Sequence, residues 1–276
     1  MTDAATQSPA RTPEGRPMKG GALRALTGPA MRPVLVGIAS VVVGVLVWHI
    51  GSMYTSALFL PSPWSVAQTA AGMIADGSLF VAIGASAWRI LAGWVAGVVI
   101  GVPLGLLMGR FQVVRLVCDP WIEFFRFIPP IAFVTLAVIW LGPGELTKIA
   151  LIFYCTVFIV TINTIAGVNA VNPLRLQAAR SMGAGKLAEM TTVILPSSVP
   201  FMLTGARIAM GNSFLTVVSA EIVSAQTGLG AMIWTARNFG RTDWVFVGII
   251  SLGIMGYLFD RAFRYAAKRW FVRFSF

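Results

Sequence analysis

Apolar residues run in long blocks along this chain, and polar or charged positions gather at the joints between them. From Pro33 to Ala75 no side chain carries a formal charge. A stretch of ~20 apolar residues can cross a bilayer as a helix, because the helix satisfies its own backbone hydrogen bonds. On that criterion the pattern predicts six spans: Pro33–Gly51, Arg89–Gly109, Trp121–Leu141, Lys148–Gly167, Pro196–Glu221 and Trp244–Phe263. The more polar Leu60–Leu79, which opens Pro-Ser-Pro, reads as an extramembrane loop with a short surface helix. Gly142-Pro143-Gly144 stops the third span. In the second span Gly93, Gly97, Gly101, Gly105 and Gly109 recur every four residues. Such a face lets a neighbouring helix backbone approach closely, either within one protomer or across a dimer. Pro103 is expected to bend the same helix.

The expectation is therefore an all-α membrane protein with six transmembrane helices. Residues 1–30, rich in Pro, Thr, Ala, Gly and Arg, read as a disordered tail rather than a signal peptide. Residues 31–59 hold the first transmembrane helix, and residues 60–270 form a transmembrane domain interrupted by a polar, basic loop at 168–192.

Composition agrees with this picture. The chain is 57% hydrophobic and 11% charged, against about 25% charged in soluble domains. Its net charge of +11 would suggest nucleic acid in a soluble protein. Here it follows from the enrichment of Lys and Arg in cytoplasmic loops. With the N-terminus inside, 15 of the 21 Lys and Arg residues fall on the cytoplasmic side. Lys148, Arg237 and Arg241 fall outside, and Arg89, Arg126 and Arg207 lie in or beside spans. Both termini are expected in the cytoplasm. Cys118 and Cys155 read as packing residues, since two cysteines make neither a disulfide framework nor a zinc cluster. His49, the only histidine, reads as an interfacial residue.

The basic loop carries the functional signal. It reads NPLRLQAARSMGAGKLAEMTTVILP from Asn172 to Pro196. Asn172 suits a helix N-cap and Pro173 the first turn; Gly183 and Gly185 can end or turn the helix. A short helix projecting from a bundle would transmit a push from a soluble partner into the fourth and fifth spans.

This segment resembles the cytoplasmic motif of ABC importer permeases: EAA, three residues, Gly, nine residues, Ile, one residue, Leu-Pro. The chain matches at Ala178, Ala179, Gly183, Leu195 and Pro196, with Gln177 in place of Glu and Val193 in place of Ile. Gln keeps hydrogen-bonding reach without charge. The resemblance continues through LPSPWSV (Leu60–Val66), ASAWRILAGWVAGVVIGVPLGLLMG (Ala85–Gly109), EFFRFIPPIAFVTLAVIWLGPGELTKI (Glu123–Ile149), LPSSVPFMLTGARIA (Leu195–Ala209) and SAEIVSAQTGLGAMI (Ser219–Ile233). The Glu123–Ile149 segment resembles the branch serving nitrate, sulfonate, taurine and related uptake.

The resemblance implies the type I ABC importer permease fold in the bacterial inner membrane. It also implies a second permease copy, two cytoplasmic ATPase subunits and a periplasmic solute-binding protein. The solute would be a small anion such as a sulfonate, taurine or nitrate. The chain has no GxxxxGK[ST] loop, so ATP and Mg are expected on the ATPase partner, with no cofactor, metal or catalytic residue in this chain. The alternatives are the same importer type carrying a small heterocyclic vitamin or pyrimidine precursor, or a secondary transporter.

The spans also offer a candidate pathway. The uncharged part of the third, Phe127–Leu141, covers ~22 Å at 1.5 Å per residue, short of a ~30 Å bilayer core. Glu123 and Arg126 are drawn inward and can pair at i,i+3, while Pro129-Pro130 frees backbone groups beside them. Arg207 sits deeper, in the fifth span, and both arginines should face protein or water. They read either as a structural network, for instance Arg207 held by Glu123, or as a basic lining that eases a small anion through.

Overall fold

The computed structural model describes residues 32–224 and 226–270; the expected tail, residues 1–30, lies outside them. Among the described residues every regular element is helical. They are α1 (Arg32–Met53), α2 (Pro63–Ala75), α3 (Ser78–Arg110), α4 (Gln112–Phe125), α5 (Pro130–Leu141), α6 (Glu145–Asn169), α7 (Pro173–Ser181), α8 (Leu195–Ser224), α9 (Leu229–Asn238) and α10 (Thr242–Trp270). A helical turn, Lys186–Ala188, and a π-helical stretch, Glu189–Ile194, lead without a break into α8.

Helices α1, α3, α6, α8 and α10 are long and apolar enough to cross a membrane. The third expected span differs from the sequence reading: Trp121–Leu141 is not one helix. It is divided between α4 and α5, whose axes turn by 101°. The cause is Pro129-Pro130. Pro129 precedes a proline and is extended, and Pro130 starts the next helix. The carbonyls freed at the corner are taken by the Tyr154 hydroxyl of α6, which donates to Phe125 O (2.6 Å) and Ile128 O (3.3 Å). Helix α3 begins well before its expected start. Gly77 takes a left-handed turn (φ 79°) and Asp76 accepts from the Ser78 N–H at 2.8 Å. The Ser78 hydrogen bonds hold the Asp76 carboxyl below its ordinary range. The segment after α8, read as a loop, contains α9.

Helix α6 is the hub. On one side the glycine face of α3 lies against it. A Cβ at Gly93 would meet Ile152 at 2.6 Å, at Gly97 Thr156 at 2.5 Å, at Gly101 Val160 at 3.0 Å, at Gly105 Thr164 at 2.5 Å and at Gly109 Val168 at 2.6 Å. The ladder therefore packs within the protomer. On its other side α6 meets α8, where a Cβ at Gly205 would meet Asn163 at 2.6 Å and one at Gly167 would meet Phe201 at 2.8 Å. Small residues replace the hydrophobic drive that lipid cannot supply. Buried threonines of α6 add hydroxyl bonds: Thr161 donates to Gly101 O (3.2 Å), and Thr156 shares a bond with Ser213 of α8 (3.3 Å).

Helix α1 stands apart, with no buried residue in its apolar stretch. It is tied at its C-terminal end, where Trp48 stacks on Phe246 of α10 (5.3 Å) and donates to Pro61 O (3.0 Å).

Candidate functional site

The loop between α6 and α8 folds as its residues suggest. Asn172 caps α7, its Oδ1 accepting the Leu174 N–H at 2.9 Å, and Pro173 occupies the first turn. The helix stops at Gly183 (φ 82°). Beyond it the Ala184 N–H reaches back to Ala179 O at 3.0 Å, a left-handed glycine cap. No atom stands within 4 Å of a Cβ at Gly183. A side chain there would not fill the bend, and its cost would lie in backbone conformation alone.

The motif residues divide by face. Ala179 is buried, while Gln177 and Ala178 are exposed. Leu176 packs on the small core of Val168, Val171 and Ile194. Leu174, Met182 and Leu187 are 70%, 82% and 78% exposed. Three large apolar side chains, one on α7, one at its C-terminal cap and one on the Lys186–Ala188 turn, are thus exposed in one short stretch of the loop. Leu195 and Pro196 open α8 and are half-buried. Pro196 has no N–H to offer the preceding turn, which suits the wider π spacing just before it.

What holds this knob is a carboxylate that the motif does not mark. Glu189, 3% exposed, accepts from Arg110 at the end of α3 (2.7 Å) and from Arg180 of α7 (2.8 Å). Hydrogen bonding to Glu189 raises the Arg180 guanidinium further above its ordinary value. One buried anion thus links α3, α7 and the base of α8. The signal in the sequence was a lone Glu in a basic loop.

The candidate pathway residues separate. Arg126 sits at the corner between α4 and α5 beside Pro129 and Pro130. It pairs with Glu123 (2.8 Å) and lies over the Phe127 ring (4.4 Å). Arg207 of α8 is not held by Glu123. Its partner is Asp260 of α10 at 2.6 Å, and Arg264 shares that carboxylate at 2.7 Å. The i,i+3 pairing was legible; a pair 53 residues apart was not.

At the opposite end of the bundle lies a second polar centre that the sequence reading missed. Arg89 of α3, 1% exposed, donates to Glu145 of α6 at 2.6 and 2.7 Å, to Glu221 of α8 at 2.6 Å and to Thr227 O at 2.6 Å. Glu221, fully buried, also accepts from Ser86 (2.8 Å) and from the Gly230 N–H (2.8 Å). Lys148, counted among the outside charges, is buried and bonds Glu145 at 2.8 Å. Four helices and the segment that holds Thr227 meet here with their charges paired, which suits a staple rather than a reactive site. Lone charges inside apolar spans were the available signal.

Residues 101–272 match the model of the family described as "Binding-protein-dependent transport system inner membrane component". The chain is 38% identical to the taurine transport system permease protein of Escherichia coli, over 87% of this chain and 90% of the relative. It is 37% identical to a probable ABC transporter permease protein of Brucella melitensis (85% and 95%). To the nitrate import permease protein of Synechocystis it is 31% identical (73% and 77%). An inward-facing structure of a methionine ABC transporter matches with a TM-score of 0.57 at 18% identity, over 67% of this chain and 94% of that one.

Proposed function

The chain belongs to the family of binding-protein-dependent transport system inner-membrane components, a multi-pass inner-membrane permease of an ABC importer, and we propose that its solute is a small oxyanion such as a sulfonate, taurine or nitrate. The permeases for taurine, aliphatic sulfonates and nitrate among its relatives support that class. Two copies of this chain would pair, receive the solute from a periplasmic binding protein and sit on two cytoplasmic ATPase subunits. Those subunits would bind ATP and Mg and do the hydrolysis. Residues 60–270 would form the permease domain, with both termini inside.

The observation that carries this reading is α7. It and the turn that follows present Leu174, Met182 and Leu187 outward, and α7 is tied through Glu189 to α3 and α8. An ATPase surface closing and opening beneath it would rock those helices. Gln177 gives that contact a neutral hydrogen-bonding group where the family motif has Glu. Both arginines are paired with a carboxylate, Arg126 with Glu123 and Arg207 with Asp260; Arg126 is the one we place on the solute route, because it sits at the α4–α5 corner beside Pro129 and Pro130.

The test is uptake by vesicles holding permease and ATPase subunits, with the binding protein added. Taurine, alkyl sulfonates or nitrate should compete with one another for uptake, and a pyrimidine precursor should not. Met182→Asp with Leu187→Asp should leave the permease in the membrane and lose both ATPase co-purification and uptake. Arg126→Gln should slow uptake with the complex intact. Full ATPase retention and uptake in the α7 double variant would overturn the coupling role. Competition by the pyrimidine precursor alone would overturn the solute class.

A further inference from the structure

Below the Arg207–Asp260 pair, α8 and α10 part and leave two adjoining clefts. The first, about 380 Å³, is lined by Arg207, Asp260, Arg264 and Lys268. The second, about 480 Å³, has apolar walls that include Trp94, Ala266 and Trp270. The two share Leu203, Phe263 and Ala267. We propose that this double cleft is a binding site for an anionic glycerophospholipid, with the phosphate between Arg264 and Lys268 and an acyl chain in the apolar lobe.

The charge balance calls for an anion. Three cations line the first cleft against one carboxylate, and Asp260 is shared by both arginines. Among the described residues Lys268 has no carboxylate partner, and the buried Arg264 Nε has no hydrogen-bond partner. A small free anion would account for the first lobe but not for the second, which is almost wholly apolar. An occupant that satisfies both lobes has one anionic end and a long hydrocarbon part.

Depth agrees with this. Helix α10 has 29 residues, ~43 Å at 1.5 Å per residue. A hydrocarbon core of ~30 Å measured from Trp244 ends near Phe263. Arg264 and Lys268 therefore lie at headgroup level, with Asp260 one turn inside the core and Trp270 beyond them on the cytoplasmic side. Basic pockets between membrane helices are the usual form of headgroup recognition. The same placement puts Arg207 beside lipid, away from the solute route.

The full-length permease, delipidated in neutral detergent, provides the test. Phosphatidylglycerol at a hundredfold its Kd should raise the melting midpoint by about 5–10 °C. Phosphatidylcholine and inorganic phosphate should not, and native mass spectrometry should show phosphatidylglycerol retained. Arg264→Gln with Lys268→Gln should abolish the shift. Ala266→Trp should reduce it by filling the apolar lobe while keeping both charges. Arg261→Gln with Arg269→Gln, which removes the same charge outside the cleft, should keep it. Equal shifts with phosphatidylcholine, an equal shift with inorganic phosphate, or a full response in the Arg264/Lys268 variant would each overturn the site.

Discussion

The Arg89 guanidinium ties three membrane helices together through Glu145 and Glu221. Arg89 has no water to turn to, and its donors are spent on Glu145, Glu221 and Thr227. Removing one partner of a buried ion network leaves an uncompensated charge, at about 3–5 kcal/mol. Arg89→Gln strands Glu221, the fully buried member. Its melting midpoint in detergent should fall by on the order of 10 °C. Glu145→Gln should cost less, because the Glu145 side chain is half exposed. A midpoint for Arg89→Gln equal to that of the parent would show that the network adds nothing to stability. None of this geometry is readable from spacing. The three charged residues lie 56 and 132 positions apart along the chain, and only their isolation in apolar surroundings marks them.

At the scale of elements, the glycine ladder is the clearest link between sequence and packing. Five glycines four apart say that some backbone comes close to this face; the fold shows that it is α6. A Cβ at Gly93, Gly97, Gly105 or Gly109 would lie 2.5–2.6 Å from an α6 atom, closer than real Cβ atoms come, and one at Gly101 would make a tight contact at 3.0 Å. Gly97→Leu or Gly105→Leu should therefore abolish the folded yield. Gly84→Leu, on the same helix with no atom within 4 Å of its Cβ, should express normally. Normal yields for Gly97→Leu in size-exclusion chromatography would mean that α3 and α6 can separate at little cost. The α4–α5 corner shows the limit of the same reasoning. Two prolines announce a break, but not its 101° angle nor the Tyr154 hydroxyl that reaches the corner carbonyls from another helix.

For the whole molecule, orientation follows from charge. Enrichment of Lys and Arg on the side of α7 and at the C-terminal end of α10 leads us to propose that those ends face the cytoplasm. In a background lacking Cys118 and Cys155, a single cysteine at Arg180 should be shielded from an impermeant thiol reagent in intact cells, and one at Ala67 should be labelled. Labelling at position 180 from outside would reverse the topology.

What the sequence determined by itself was the solvent, the helical class, the approximate position of most spans, and the family with its loop motif. These depend on local properties: hydrocarbon length, the turn chemistry of Asn172, Pro173 and Gly183, and the spacing of a short motif. What the tertiary structure decided was which groups meet: Arg89 with Glu221, Glu189 with Arg110 and Arg180, Asp260 with Arg207 and Arg264, and the glycine ladder with α6. In a bilayer, hydrophobicity cannot choose between helices, because lipid is as apolar as leucine. Partners are chosen by close backbone approach and by the need to pair each buried charge, and both conditions exist only once distant segments are brought side by side.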